Sequence, residues 1–180
     1  LGGLDILIAN HGLGSAHEVA LWNQTSETWN ESVTTNLDSS FYLTQAAMSH
    51  MVDKGYGRIV YTSSTAAIIP EKSGSAYNSS KAGLVGLMRS AAIDGGLYGV
   101  TANAVLPGWV KTEMAEKSAL AEAKKSNRSV EEVWNEREEL YPANRVVDPI
   151  EVAELISFLS SESSSGVSGE AIRVALGGVL

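Results

Sequence analysis

Arg58-Ile59-Val60-Tyr61-Thr62-Ser63-Ser64 is the stretch that decides the fold: an apolar strand closed by small hydroxyl residues. Upstream, Ile6-Leu7-Ile8-Ala9 is a second short apolar run, ending in Asn10-His11-Gly12. Such runs suit strands buried on both faces, as in a parallel sheet. Between the two, Ser26 is a candidate N-cap with Glu27 in the first turn, and Trp29, Val33, Leu37, Phe41, Thr44 and Met48 follow at helical spacing. One long helix is therefore expected to run to about Lys54, with Gly55 and Gly57 stopping it. Downstream of Ser64, a loop containing Pro70 leads into a second helix, from about Ala76 to Leu97. Its small residues, including Ser80 and Gly83, permit close helix approach. Val100 to Val105 reads as a third strand, stopped by Pro107-Gly108. Glu113 to Tyr141 is charged and helical, with Val130, Val133, Trp134 and Leu140 as a narrow apolar stripe. Asp148-Pro149 opens another helix through Leu159. Ala171 to Ala175 is a fourth strand, followed by Gly177-Gly178. Alternating strands and helices imply right-handed crossovers and a parallel sheet, hence an α/β chain of one domain, residues 1–180.

Composition narrows the function. With 44% hydrophobic and 19% charged residues, the chain reads as an ordinary soluble globular protein. The net charge of −8 repels phosphate backbones and anionic lipid, so neither nucleic acid nor a membrane is an expected partner. The chain has no cysteine, which excludes disulfides and thiolate chemistry and makes the cytoplasm the default setting. No apolar run is long enough to span a bilayer. Leu1-Gly2-Gly3-Leu4-Asp5 lacks the basic start of a signal peptide.

Chemistry enters at Tyr77-Asn78-Ser79-Ser80-Lys81, where a phenol and an ammonium lie four residues apart and share a helix face. A tyrosine has a pKa of about 10, too high for acid–base work at neutral pH, and a fixed ammonium nearby is expected to lower it. Alone the spacing is weak, because an exposed helical pair produces it as well. Ser64, thirteen residues earlier, stands at the carboxyl end of a strand, where open parallel sheets place their ligands. Asn36 lies a further twenty-eight residues back, inside the first long helix.

With these residues in place, the chain resembles the short-chain dehydrogenase/reductase family along nearly all its length. The family's Asn-Asn-Ala-Gly appears as Ala9-Asn10-His11-Gly12, its helix Asn as Thr35-Asn36-Leu37, and its Tyr-x-x-x-Lys as Tyr77 to Lys81. Its Pro-Gly motif reads Asn103-Ala104-Val105-Leu106-Pro107-Gly108, followed by Val110 and Thr112. The resemblance implies a Rossmann-like doubly wound parallel sheet, of which the last four strands and their flanking helices are present. It implies an oxidoreductase that interconverts an alcohol and a carbonyl with NAD or NADP. Tyr77 would exchange the proton with the substrate oxygen, and Lys81 would lower its pKa and bond the nicotinamide ribose. Ser64 would hold the substrate oxygen, and Asn36 would position a water leading from Lys81 to solvent. The Val110 backbone and the Thr112 hydroxyl would fix the nicotinamide amide, with Asn10 against the cofactor. Residues 113–142 resemble the family's variable substrate lid, and the two long helices are those that pair subunits, so a homodimer or homotetramer of the complete protein is implied.

Plainer roles stand beside these. Ser64 also suits a strand-end turn, Asn36 a bond to a helix carbonyl, Asn10 a strand-end cap and Thr112 a cap for the charged helix. Trp109 suits either a pocket wall or packing against the lid. Gly12-Leu13-Gly14-Ser15-Ala16-His17 imitates a dinucleotide fingerprint, but no helix follows directly, so it is rejected. His11, His17 and Glu18 are not expected to bind metal. The family's glycine-rich turn, which holds the pyrophosphate, does not precede Ile6 in this sequence. A truncated, inactive product acting through its two long helices is therefore the rival reading.

Overall fold

The computed structural model describes residues 3–14 and 19–178. The imitated fingerprint beyond Gly14, and the His17 and Glu18 of the rejected metal site, lie outside them. Four parallel strands form one sheet in the order β1-β2-β3-β4: β1 (Ile6–Ala9), β2 (Gly57–Thr62), β3 (Val100–Pro107) and β4 (Ala171–Val174). Between β1 and β2 run α1 (Ser26–Val33), a π-helical turn (Thr34–Asp38) and α2 (Ser39–Lys54). Helix α3 (Ser75–Gly95) links β2 to β3. After β3 come α4 (Glu113–Ser126), α5 (Val130–Glu139) and α6 (Pro149–Leu159).

Strand alternation sends side chains to two cores. Ile59 and Tyr61 of β2, with Ala102, Ala104 and Leu106 of β3, pack on Ala47 and Met51 of α2 and on Leu84 and Met88 of α3. Val60 and Val105 point the other way, onto Val152 and Leu159 of α6. Helices thus cover both faces, and every residue of β3 is buried. Toward the α6 side, β1 presents Ile6 and Ile8, 42% and 47% exposed, and among the described residues it pairs only with β2.

Local chemistry explains the boundaries. The cap of α1 is Thr25, one residue before the expected Ser26, and its hydroxyl accepts the Thr28 N–H. Gly55, at φ +75°, ends α2 as expected. A capping box of Asp148 and Glu151 opens α6. The expected single helix from Ser26 to Lys54 is interrupted by the π turn, and its inward line differs from the apolar spacing. Asn36, Ser40, Thr44, Ala47 and Met51 face inward, whereas Phe41 is 44% exposed. The inward polar groups find partners. Ser40 donates to the Asn36 carbonyl, and the Thr44 hydroxyl meets the buried Tyr61 phenol at 2.7 Å.

The charged segment after β3 forms the helical hairpin α4–α5, turned by Asn127 at φ 54°. Ala115, Ala119, Ala123, Val133 and Trp134 build its core, but Leu140 of the expected stripe is half exposed. Gly99 opens β3 at φ +70°, and a Cβ there would lie 2.5 Å from the Gly55 carbonyl oxygen. Replacing Gly99 by Ala should lower the unfolding free energy by about 2–3 kcal/mol, through backbone strain and collision. Urea denaturation reads this directly; an unchanged midpoint contradicts the packing described.

Candidate active site

The sheet's carboxyl end gathers the candidate residues. Ser64, two residues past β2, has extended backbone and caps a short 3-10 turn (Thr65–Ala67), its hydroxyl accepting the Ala66 N–H at 3.1 Å. That hydroxyl also lies close enough to the Tyr77 phenol, in the first turn of α3, to favour the ionised phenol. One turn further, the Lys81 ammonium lies 5.8 Å from the Tyr77 ring centroid and donates to the Thr62 carbonyl at 3.0 Å. Ser63 donates to the Lys81 carbonyl at 2.8 Å, tying the strand end to α3 a second time. Ser64, Tyr77 and Lys81 are therefore brought together.

Burial sets their protonation. Lys81 is 5% exposed, and desolvation of the ammonium brings its pKa down to about 8. Tyr77 moves opposite to the sequence expectation. Burial pushes the phenol above its ordinary value, the Ser64 hydroxyl opposes this, and the Glu71 carboxylate adds to it. The expected lowering by Lys81 does not prevail, because the phenol is itself desolvated and the ammonium spends a hydrogen bond on Thr62. A raised pKa keeps Tyr77 protonated at neutral pH, the form that can donate a proton. The Lys81 shift also has a sign for stability. Its folded pKa lies below the unfolded value, so the unfolded chain binds its proton more readily. The penalty is complete below pH 8 and is relieved as pH rises from 8 toward 10.5.

Asn36 is fully buried within the π turn. Its side-chain oxygen accepts the Leu13 N–H at 2.7 Å; its amide nitrogen donates to the Leu13 carbonyl at 3.2 Å and to the Ser80 hydroxyl at 3.0 Å. The amide thus brackets the loop after β1 against α3. A Cβ on Gly12 would lie 3.1 Å from both the Asn36 oxygen and the Lys81 nitrogen, so the backbone there closes directly over the ammonium. π turns inside α-helices cluster at functional sites, and this one lies where three elements meet.

The remaining predicted residues occupy the same end of the sheet. Asn10 is exposed just past β1. Val110 forms a parallel bridge with Val147, and Thr112 caps α4, its hydroxyl accepting the Ala115 N–H at 3.2 Å. Trp109 packs against the α4–α5 hairpin, with the Arg137 guanidinium 3.7 Å from its ring centroid. Met114 of α4 reaches across to Gly14, where a Cβ would lie 3.2 Å from its sulfur. Sequence reasoning missed two residues. Asn78 clamps the loop before α3, accepting the Glu71 N–H at 3.2 Å and donating to the Glu71 carbonyl at 2.9 Å. Tyr141 accepts the Trp109 N–H at 2.7 Å. Asn78 lay inside the Tyr-x-x-x-Lys motif itself, while nothing in the spacing marked Tyr141. Among the described residues no cluster of three or more His, Cys, Asp or Glu suits a metal, and no helix is long and apolar enough to cross a membrane.

Comparison with known proteins gives the family. Residues 1–178 match the family model described as enoyl-(acyl carrier protein) reductase. The D-beta-hydroxybutyrate dehydrogenase of Cupriavidus necator is 37% identical over 93% of this chain and 65% of that protein. The 3-oxoacyl-[acyl-carrier-protein] reductase FabG of Vibrio cholerae is 31% identical over 96% of this chain and 66% of that one. The solved structure of NAD+-bound xylitol dehydrogenase superposes with a TM-score of 0.90 at 26% identity, over 98% of this chain and 69% of that one. The chain belongs to the short-chain dehydrogenase/reductase family, with the Rossmann-like fold of that family. It spans just under two thirds of the length of these two relatives.

Asn36→Ala should cost about 1–3 kcal/mol of stability, since it leaves the part-buried Leu13 amide and carbonyl without their partner and takes one bond from the buried Ser80 hydroxyl. The Leu13 amide should lose its protection against hydrogen exchange at the same time. A variant with wild-type stability and protection contradicts the bracket.

Proposed function

We propose that this chain forms the catalytic part of an oxidoreductase that interconverts an alcohol and a carbonyl with NAD or NADP. The observation that carries the reading is the meeting of the Ser64 hydroxyl, the Tyr77 phenol and the Lys81 ammonium at the sheet's carboxyl end. The residues present fit the nicotinamide half of such a cofactor. Gly12 lacks the side chain that would crowd Lys81, and Asn10, Val110 and Thr112 stand beyond the carboxyl ends of β1 and β3. Lys81 and Tyr77 would hold the ribose, Asn10 would lie alongside, and Val110 and Thr112 would hold the amide. When bound, the cofactor supplies the hydride.

The chain's own residues manage the oxygen and its proton. Ser64 Oγ holds the substrate oxygen beside the phenol. Tyr77 Oη, protonated at neutral pH, gives its proton to that oxygen as the carbonyl is reduced, the Lys81 ammonium beside it offsetting the charge left on the phenolate, and takes a proton back in the reverse direction. Lys81 Nζ, with a pKa of about 8, exchanges protons near working pH and restores the phenol. Asn36 fixes the floor on which Lys81 rests. The substrate is a small or medium hydroxy or keto compound admitted beneath the α4–α5 lid. Apolar side chains exposed on α2 (Phe41, Tyr42 and Leu43), with Ile93 of α3 and Leu97 just beyond it, support pairing of identical subunits through these helices.

The rival reading, an inactive interaction module, leaves the Ser64–Tyr77–Lys81 arrangement without a role. Tyr77→Phe in the full-length protein should cut turnover by about 10²–10⁴-fold, whereas NADH affinity, measured by fluorescence titration and sustained by Lys81, should fall by about tenfold at most. Retained turnover overturns the reading.

A further inference from the structure

Tyr141, just beyond α5, is not part of the proton-transfer group, yet its surroundings are built around it. The ring is buried, and its hydroxyl accepts the Trp109 N–H at 2.7 Å. A Cβ on Gly108 would come within 2.3 Å of that hydroxyl oxygen, and one on Gly178 within 2.8 Å of the ring. Both glycine positions therefore leave room for this one side chain. The segment it touches is anchored on its other side as well. Val147 N–H donates to the Trp109 carbonyl at 2.9 Å, and Lys111 N–H donates to the Val147 carbonyl at 3.0 Å. From the lid, Arg137 stacks on the Trp109 ring and donates to the Ala115 carbonyl and the Glu122 carboxylate.

We infer that Tyr141 is a positioning residue that sets the Gly108–Thr112 segment against the lid and so fixes the seat of the nicotinamide. The inference rests on the proposed function, since that segment matters only if a nicotinamide lies there. Lid and seat are joined through Trp109, its ring held by Arg137 and its amide by Tyr141. A displacement of the α4–α5 hairpin is thereby passed to Val110 and Thr112, and the lid is tied to the cofactor seat.

The test is Tyr141→Phe in the full-length protein, which keeps the ring between the two glycines and removes only the oxygen. A hydrogen bond to a buried amide of this kind corresponds to about a tenfold effect. NADH should bind about tenfold more weakly by fluorescence titration. The primary deuterium isotope effect with 4-deuterated NADH should rise, while substrate KM at saturating NADH holds. A fall in melting temperature with NADH affinity and isotope effect unchanged assigns Tyr141 to packing alone and overturns the inference. If the variant does not fold, amide exchange in the wild-type protein decides: a protected Trp109 N–H supports the inference, and one exchanging like an exposed loop amide overturns it. Tyr77→Phe is run in parallel. An active Tyr77→Phe removes the proposed function itself, whereas an inactive Tyr77→Phe beside an unaffected Tyr141→Phe removes only the role given to Tyr141.

Discussion

The structure around the site depends on holding an ammonium inside the protein. Lys81 Nζ is screened from water by the loop after β1, the Asn36 amide and the end of β2, and desolvation brings its pKa down to about 8. Isolated buried charge is expensive, so it persists only where hydrogen bonds and neighbours are fixed beforehand. Here the Thr62 carbonyl supplies the bond, Ser63 anchors the Lys81 backbone, and Gly12 supplies a side-chain-free surface. Removing any of these changes the environment of the phenol one turn away.

Asparagine does much of the fixing. Asn36 takes the N–H and carbonyl of Leu13, and Asn78 those of Glu71. In β3, the fully buried Asn103 donates to the Val167 carbonyl and accepts the Glu170 N–H, holding the approach to β4. Each primary amide presents an N–H and a carbonyl oxygen side by side, as a neighbouring strand would, with a second N–H to spare. Irregular segments between strands and helices lack such a neighbour, and the amides satisfy their part-buried backbone groups instead. The candidate site is thus held by side-chain amides where its backbone is irregular, as the proposed hydride and proton transfer would require of a scaffold.

Much of this was legible in the sequence. Apolar runs ended by small polar residues located the strands, Asp148-Pro149 located α6, and the ordered spacing of Asn36, Ser64, Tyr77 and Lys81 picked out residues that the fold gathers near the sheet's carboxyl end. The inner face of α2 was not legible, because the line Asn36, Ser40, Thr44 is polar and the apolar Phe41 beside it points outward. The π turn also escaped, since it depends on the Leu13 and Ser80 contacts, distant in sequence. The direction of the Tyr77 shift was misjudged because spacing reports the neighbour's charge but not how deeply both groups are buried. Tyr141 left no trace, since its significance comes from three segments converging on one ring.

Proton transfer through Tyr77 is credible only if the ammonium behind it is truly desolvated. The most direct measurement is an NMR titration of the Lys81 side chain in the folded protein, assigned by its loss in a Lys81→Met variant. An inflection near pH 8 is predicted. A titration at the ordinary lysine value of about 10.4 would mean that water reaches the ammonium freely, and the account of the site would be wrong.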